Sequence, residues 1–307
     1  MSTADVLLQI RRACRQTGIT TAEQLALTDR QRRHAINTGL LERRPRGVLL
    51  DPSFPDSAEK QLAAAVAVGR PFAAAGGRSC MAMWRLLDEH PSCPEVVVPD
   101  CRYARIPGAV VRRSSSLSLD DVTTRRGIQV LKPLAAMMSI GAVLPPMEVA
   151  EIIVRARQMK LFQPDDVRAT IGRQPRSGSD GIRVVRDALG LVMIGDRPAD
   201  SVLELRFHHG PGQLLPPYEY QYTVVVDGVR YRLDFAYPEV KAGIEVDGYE
   251  KRKDMESLVH DARKTTALIK AGWTIPHFTW PDVMHAPHRV ALDTLEILRA
   301  CGYRFGP

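Results

Sequence analysis

The chain has 307 residues, 45% hydrophobic and 25% charged, enough for two or three ordinary globular domains and too apolar for a disordered, self-solvating chain. Lys and Arg number 42 against 35 Asp and Glu, and the net charge of +7 favours a polyanionic partner such as nucleic acid, although a merely basic soluble protein has the same balance. Five scattered cysteines with no CxxC pair exclude a zinc ribbon or a disulfide framework and suit a reducing cytoplasm, while the charges inside "MSTADVLLQIRRACRQ" and the short apolar runs elsewhere give no signal peptide and no membrane span.

Val6, Leu7, Ile10 and Ala13 recur at helical spacing and predict a helix over 4–16. "GITTAEQLA" predicts a second helix, with Thr20 or Thr21 as N-cap and Glu23 and Gln24 in its first turn. A third helix runs from a capping Thr28 to Gly39, and "LLERRPRGVLL" reads as a small hairpin around a basic turn. Three helices and a hairpin make a winged helix-turn-helix over 1–51. Arg30, Arg32 and Arg33 fall on its third helix, and Arg43, Arg44 and Arg46 in its wing. Such a helix can enter a major groove while a basic wing meets phosphate, so these six are the candidate DNA contacts. A protein-interaction module with a solvated basic face is the alternative.

Residues 52–190 read as a mixed α/β middle domain. "AEKQLAAAVAVGRPFAAAGGRSCMAMWRLL" predicts two helices around a Gly-containing break, and "PEVVVPD", "AVVRRSS" and "IQVLKP" predict short strands. "PLAAMMSIGAVLPPMEVAEIIVRARQMKL" returns to helix, and the polar "RQPRSGSDG" at 173–181 is a plausible joint.

Residues 200–307 form the third domain. "SVLELRFHHG" predicts a helix, and "YQYTVVVDGVRYRLDFA" a hairpin turning at Asp227-Gly228. "AGIEVDG" is a third strand, "DMESLVHDARKTTALIKAG" a helix closed by Gly272, "WTIPHFT" a fourth strand and "HRVALDTLEILRACG" a last helix. Pro276 removes a ladder donor and confines the fourth strand to an edge. The order is α-β-β-β-α-β-α.

Within this domain Asp234, Glu245 and Asp247 stand among alternating apolar residues. Side chains alternate along a strand, so Glu245 and Asp247 share one face, with Ile244 and Val246 on the other. Asp234 precedes them by one tight connection, and two adjacent strands can bring Asp234 and Glu245 to one cation. Mg²⁺ takes such hard oxygen ligands, and acids this close repel without one. A solvated strand edge carrying unrelated acids has the same spacing. The histidines, including His208, His209, His285 and His288, have no acidic or Cys partner at ligand spacing and read as loop or surface residues. No P-loop and no nucleophile elbow is present.

"LDFAYPEVKAGIEVDG", followed by "HDARKTTALIKAGWTIPHFTW", resembles the PD-(D/E)XK nuclease superfamily over about 200–297, and within it the proteins of unknown function related to very-short-patch-repair endonucleases. The resemblance implies a restriction-endonuclease-like αβββαβ domain. It implies Asp234 and Glu245, with the Val246 carbonyl, as ligands of Mg²⁺ or Mn²⁺, and Glu204 as a further carboxylate approaching the metal. Asp247 stands where the superfamily usually has lysine, and Gln221 and Arg263 match polar positions near the site. Where that subgroup often has a histidine after "EVDG", this chain reads "YEKRKD" and puts Arg252 or Lys253 there. Either can bind phosphate or a leaving oxygen, but neither is a good base at neutral pH. Arg263 and Lys264 would add electrostatic stabilisation and grip on the DNA backbone. More loosely, "RRPRGVLL" in the first 190 residues resembles the abortive-infection type IV antitoxin (AbiEi-like) family, whose members bind DNA and repress transcription.

The sequence therefore predicts an α/β protein of the cytoplasm, monomeric or homodimeric and independent of membranes, that binds DNA and hydrolyses its phosphodiester bonds with Mg²⁺ or Mn²⁺. The alternative is an antitoxin-like repressor whose nuclease fold no longer cuts.

Overall fold

The computed structural model describes residues 3–99, 105–114, 118–173, 180–248 and 255–306. They form a mixed α/β structure that divides into two compact units. The first comprises Met1–Ile152 with Leu161–Arg186, and the second Ile153–Lys160 with Asp187–Pro307. No helix among the described residues is long and apolar enough to cross a membrane.

The first unit opens with α1 (Thr3–Cys14), β1 (Ile19–Thr21), α2 (Asp29–Asn37), β2 (Glu42–Arg43) and β3 (Val48–Leu50). The expected second helix is replaced by β1. Thr21 does cap a turn, its Oγ1 accepting from the Gln24 N–H at 3.3 Å, but the turn stops after one cycle. What decides the conformation is pairing: Ile19, Thr20 and Thr21 lie antiparallel to Leu50, Leu49 and Val48. The α2 helix starts as its sequence requires, with Thr28 and Gln31 in a reciprocal capping box, and the chain leaves it through Gly39 at φ 74°.

Strand β3 joins two cores through its alternation. Leu49 packs with Val6, Ile10 and Leu41 under the two helices. Val48 and Leu50 pack with Ile19 and with Leu62 and Val66 of α3 (Ala58–Gly69). Segment 1–51 thus shares its core with α3. Beyond α3 come β4 (Ala74–Ala75), α4 (Gly77–Met83), β5 (Glu95–Pro99), β6 (Val110–Ser114), β7 (Val122–Arg125) and β8 (Ile128–Leu131), in a five-stranded sheet of order β6-β5-β4-β8-β7. Strand β7 was not legible in the sequence. Helices α5 (Pro133–Ile140), α6 (Pro146–Gln158), α7 (Pro164–Gly172) and α8 (Asp180–Leu191) come next in the chain. Most of the joint expected at 173–181 lies outside the described residues.

The second unit carries the short pair β9 (Met193–Ile194) and β10 (Arg197–Pro198), then α9 (Val202–His209), β11 (Glu219–Val226), β12 (Val229–Tyr237), β13 (Ala242–Asp247), α10 (Met255–Lys270), β14 (His277–Thr279), α11 (Trp280–His285) and α12 (Pro287–Ala300). Its sheet has the order β11-β12-β13-β14, antiparallel twice and then parallel. The β11–β12 hairpin turns at Asp227 and Gly228, both at positive φ, the signature of a tight turn matched to strand twist. Phe235 packs on Phe207 of α9 with ring centroids 4.5 Å apart, while Leu233 and Ala236 pack on Leu268 of α10 and on Trp273. Strand β14 is an edge strand that begins after Pro276, as a missing donor requires.

Because Leu49 is 2% exposed and plugs the helical core from a strand that also faces α3, Leu49→Ala should cost about 2–5 kcal/mol. A fragment 1–51 should not fold alone, since Ile19, Val48 and Leu50 would be bared. Urea unfolding followed by circular dichroism measures both, and a cooperatively folded 1–51 fragment would separate the two cores.

Candidate active site

Two strands and one helix carry the acids, on β12, β13 and α9. The β12–β13 pairing ends at Phe235↔Ile244, and Asp234 and Glu245 are the next residue on each strand just beyond it. There the ladder is completed by a side chain: an Asp234 carboxylate oxygen accepts the Val246 N–H at 2.9 Å. Glu245 and Asp247 are half-buried on one face of β13, and Ile244 and Val246 are buried on the other, as alternation requires.

On the far side of β12, the β11 register runs through Tyr220↔Phe235 and Tyr222↔Leu233 and leaves Gln221 opposite Asp234. Gln221 is buried and sits at φ 54°, a left-handed conformation that costs a non-glycine residue energy. The distortion lets two consecutive residues reach one target. Glu204 of α9, 6% exposed, accepts from the Tyr220 hydroxyl at 2.5 Å and from the Gln221 amide at 2.7 Å. Ser201 fixes the start of that helix by accepting the Glu204 N–H at 3.1 Å. Burial, and next the charge of Asp234, push the Glu204 carboxyl above its ordinary range, against the pull of its hydrogen bonds.

Asp234, Glu245 and Asp247 line a cleft of about 280 Å³ together with Arg230, Arg232, His260, Asp261, Lys264 and His277. The Lys264 ammonium lies 2.7 Å from a Glu245 oxygen, and both side chains are largely buried. His277 of β14, in register with Glu245, hydrogen bonds Asp247 at 2.9 Å through Nδ1. That bond holds the His277 pKa above the ordinary histidine value despite the opposing effect of partial burial.

The expected residues therefore divide. Asp234, Glu245, Asp247 and Lys264 share the cleft, and Glu204 sits behind it as a buried carboxylate. Lys264, expected on the DNA backbone, is held by Glu245. Arg263 lines a different, shallow cleft with Asp227, Val259 and Lys270. One residue along a helix is a turn of about 100°, enough to move it off the face that Lys264 shares with Leu268. Arg252 and Lys253 lie outside the described residues. His277 was missed by sequence reasoning. Its signal was the alternation of "HFT", which turns His277 to the face of Glu245 once Phe278 is buried. Among the described residues no group of three or more His, Cys, Asp or Glu side chains stands ready to hold a metal ion.

In the first unit Arg30, Arg33, Arg43, Arg44 and Arg46 are exposed. Arg32 donates to the Ala22 carbonyl at 3.1 Å and pairs with Asp29, and Arg46 donates to the Val68 carbonyl of α3 at 3.4 Å. These two brace the α2 and hairpin region. Arg44 meets Glu42 at 3.4 Å in an exposed pair.

No family model matches the chain. Two uncharacterized proteins of Mycobacterium tuberculosis, one from strain CDC 1551 / Oshkosh and one from a second strain, are each 29% identical to it over 120 residues. The match covers 37% of this chain and 42% of each relative, so the chain spans less than half the length of the curated relatives it matches.

Glu204 offers a direct test of the crowding. Its folded pKa is raised, so the unfolded chain ionises first, and the native state loses stability as pH climbs from the ordinary value of 4.5 through the folded one. Glu204→Gln keeps the shape and an acceptor for Tyr220 and Gln221. It should melt above wild type at neutral pH in a chelator, with the gap closing below pH 4.5. An unchanged or lower melting temperature at neutral pH would mean that Glu204 carries no such repulsion.

Proposed function

We propose that this protein is a cytoplasmic, metal-dependent DNA endonuclease that hydrolyses phosphodiester bonds in the cleft between β12, β13 and α10. The observation that carries the reading is one cleft holding Asp234 and Glu245 from adjacent strands, with Lys264 at 2.7 Å from Glu245 and two arginines of β12 lining the same space. The antiparallel, antiparallel, parallel sheet with helices on both faces supports a restriction-endonuclease-like domain over 200–307. The exposed arginines of α2 and of the β2–β3 hairpin support a winged-helix DNA contact, with β1 in place of its middle helix.

The donor set fits a hard cation. Asp234, Glu245 and the Val246 carbonyl would offer oxygens to Mg²⁺ or Mn²⁺, and the charge of Asp234 already presses on a buried Glu204. When bound, the ion would supply Lewis-acid stabilisation of charge gathering on the phosphate. Lys264 would steady Glu245 and bring positive charge to the same oxygens, in the role usually given to a lysine at the position of Asp247. Arg230 and Arg232, the latter also paired with Asp200 at 3.1 Å, would grip the backbone beside the site. His277 keeps its proton to higher pH than an ordinary histidine and is suited to give it to the leaving oxygen.

The second reading, a DNA-binding regulator that does not cut, draws on the partners already made: Glu245 with Lys264 and Asp247 with His277. The same variants separate the two. On the nuclease reading Asp234→Asn and Glu245→Gln abolish cleavage, and Mn²⁺ raises the melting temperature of wild type more than of either variant. His277→Gln should slow turnover by about 10²–10⁴-fold and leave the Mn²⁺ shift intact. A wild type with no melting shift at millimolar Mn²⁺ sinks the metal site. Failure to cut with any metal, with DNA binding retained in both acid variants, selects the regulator.

The arginines predict a second pattern. Replacing Arg30, Arg33 or Arg43 by alanine should flatten the salt dependence of DNA binding by about one released ion each. Arg32→Ala and Arg46→Ala should instead lower the melting temperature and leave the slope alone, because their guanidinium groups hold carbonyls of the fold. Binding titrations over a range of salt decide this, and equal slopes for all five variants would take α2 and the hairpin out of the interface.

A further inference from the structure

A second basic cleft, apart from the carboxylate site, lies wholly inside the first unit. It has a volume of about 370 Å³ and is walled by the end of α1 and the loop after it, by β1, by α3 and by the turn between β7 and β8. That volume is in the range of a small-molecule pocket. Among the described residues its lining includes three guanidinium groups, Arg12, Arg15 and Arg70, and no Asp or Glu. The floor is apolar, with Val66 and Ile128 each 1% exposed. Gln16, Thr17, Thr21 and Gln24 are also among the lining residues.

Two buried polar atoms in this lining have no hydrogen-bond partner among the described residues: the Thr20 hydroxyl, in a residue 2% exposed, and the Arg70 Nε. Leaving such groups unpaired is unfavourable. Arginines at the ends of α1 and α3 would be favoured there by the helix dipoles alone. The dipoles do not account for the lack of any acid among the described lining residues. The rim is also built for closeness. Gly127 sits at φ 78°, and a β-carbon there would come within 2.6 Å of the Gln16 side-chain oxygen. The positive φ of Gly127 is what favours glycine in this turn, since the Gln16 side-chain end is flexible and can move aside.

We propose that this cleft is a binding site for a phosphorylated small molecule of mononucleotide size, its phosphate held by Arg12, Arg15 and Arg70 and its apolar or planar body laid over Val66 and Ile128. Guanidinium groups suit phosphate because their donors match its oxygens in pairs. The site is separate from the carboxylate cleft, and its occupancy does not depend on the nuclease reading.

The test uses the full chain in the Glu245→Gln background with a chelator, so that the carboxylate cleft cannot hold a metal-bound nucleotide. Melting shifts and calorimetry are measured with AMP, inorganic phosphate and adenosine. AMP should bind saturably with a Kd below about 1 mM, inorganic phosphate more weakly, and adenosine not at all. Arg70→Met should weaken AMP by about tenfold or more, the loss expected of one charge-assisted contact. If Arg70→Met does not fold, the exposed pair Arg12→Gln with Arg15→Gln gives the same readout without touching the core. No saturable binding of AMP or phosphate, or binding that survives both sets of substitutions, overturns the proposal. So does binding of a short DNA duplex that is lost in these variants while AMP has no effect, since the cleft would then be part of a DNA path.

Discussion

The hydrogen bond from the Val246 main chain to the Asp234 carboxylate organises the second unit. A backbone ladder would use a carbonyl at that step, and here a carboxylate takes its place, between two strands and next to a third acid. An anion that accepts a main-chain N–H is held in direction as well as position. Charge then sets the arrangement around it. Glu245 is drawn to Lys264, Asp247 turns to His277, and Glu204, bonded to neutral donors, is left as the acid whose ionisation is resisted. The left-handed Gln221 is the local cost of giving Glu204 two donors instead of one.

Such an arrangement does not make a stable core. A largely buried Lys–Glu pair gains about what its desolvation costs, and a shape-matched apolar pair would be at least as stable. A buried carboxylate beside another carboxylate is unfavourable outright. Features of this kind cluster at functional sites and also occur in structural ion-pair networks. The apolar parts of the unit carry the stability instead: Phe207 on Phe235, and Leu268 and Trp273 on Leu233, clamp the sheet from both faces. The acids are tolerated because the packing on either side of β12 and β13 is independent of them.

Local signals in the sequence were legible where a single turn of chain decides the outcome. Asp227-Gly228 fixed a hairpin, Thr28 fixed a helix start, and the alternation through Ile244, Glu245, Val246 and Asp247 fixed which side chains share a face. The segment after Gly18 misled for the same local reason. A threonine followed by Gln caps one turn as readily as a helix, and only the pairing of β1 with β3, about thirty residues away, selects the strand. Helix phase decided the cleft. Arg263 and Lys264 are adjacent in sequence, and it is the burial of Leu268 that turns Lys264 to the sheet and Arg263 away from it. His277 belongs to the same class, since its role depends on a parallel partner strand that no local pattern announces.

The arginine excess illustrates how composition and geometry divide the work. By charge alone every arginine counts equally toward a polyanion, but in the first unit they have separate fates. Arg32 and Arg46 donate to main-chain carbonyls and brace α2 and the hairpin, so much of their donor capacity is already committed. Arg30, Arg33 and Arg43 are exposed on the helix and hairpin, where counterion release can act on them. Arg70 is half-buried, with an Nε unpaired among the described residues, in a cleft whose described lining has no acid. A guanidinium in that position attracts an anion more strongly than one on the surface, because less water screens it and fewer alternative partners compete for its donors. The same residue type thus stands as brace, as exposed surface charge and as cleft lining, and the partners of each side chain decide which.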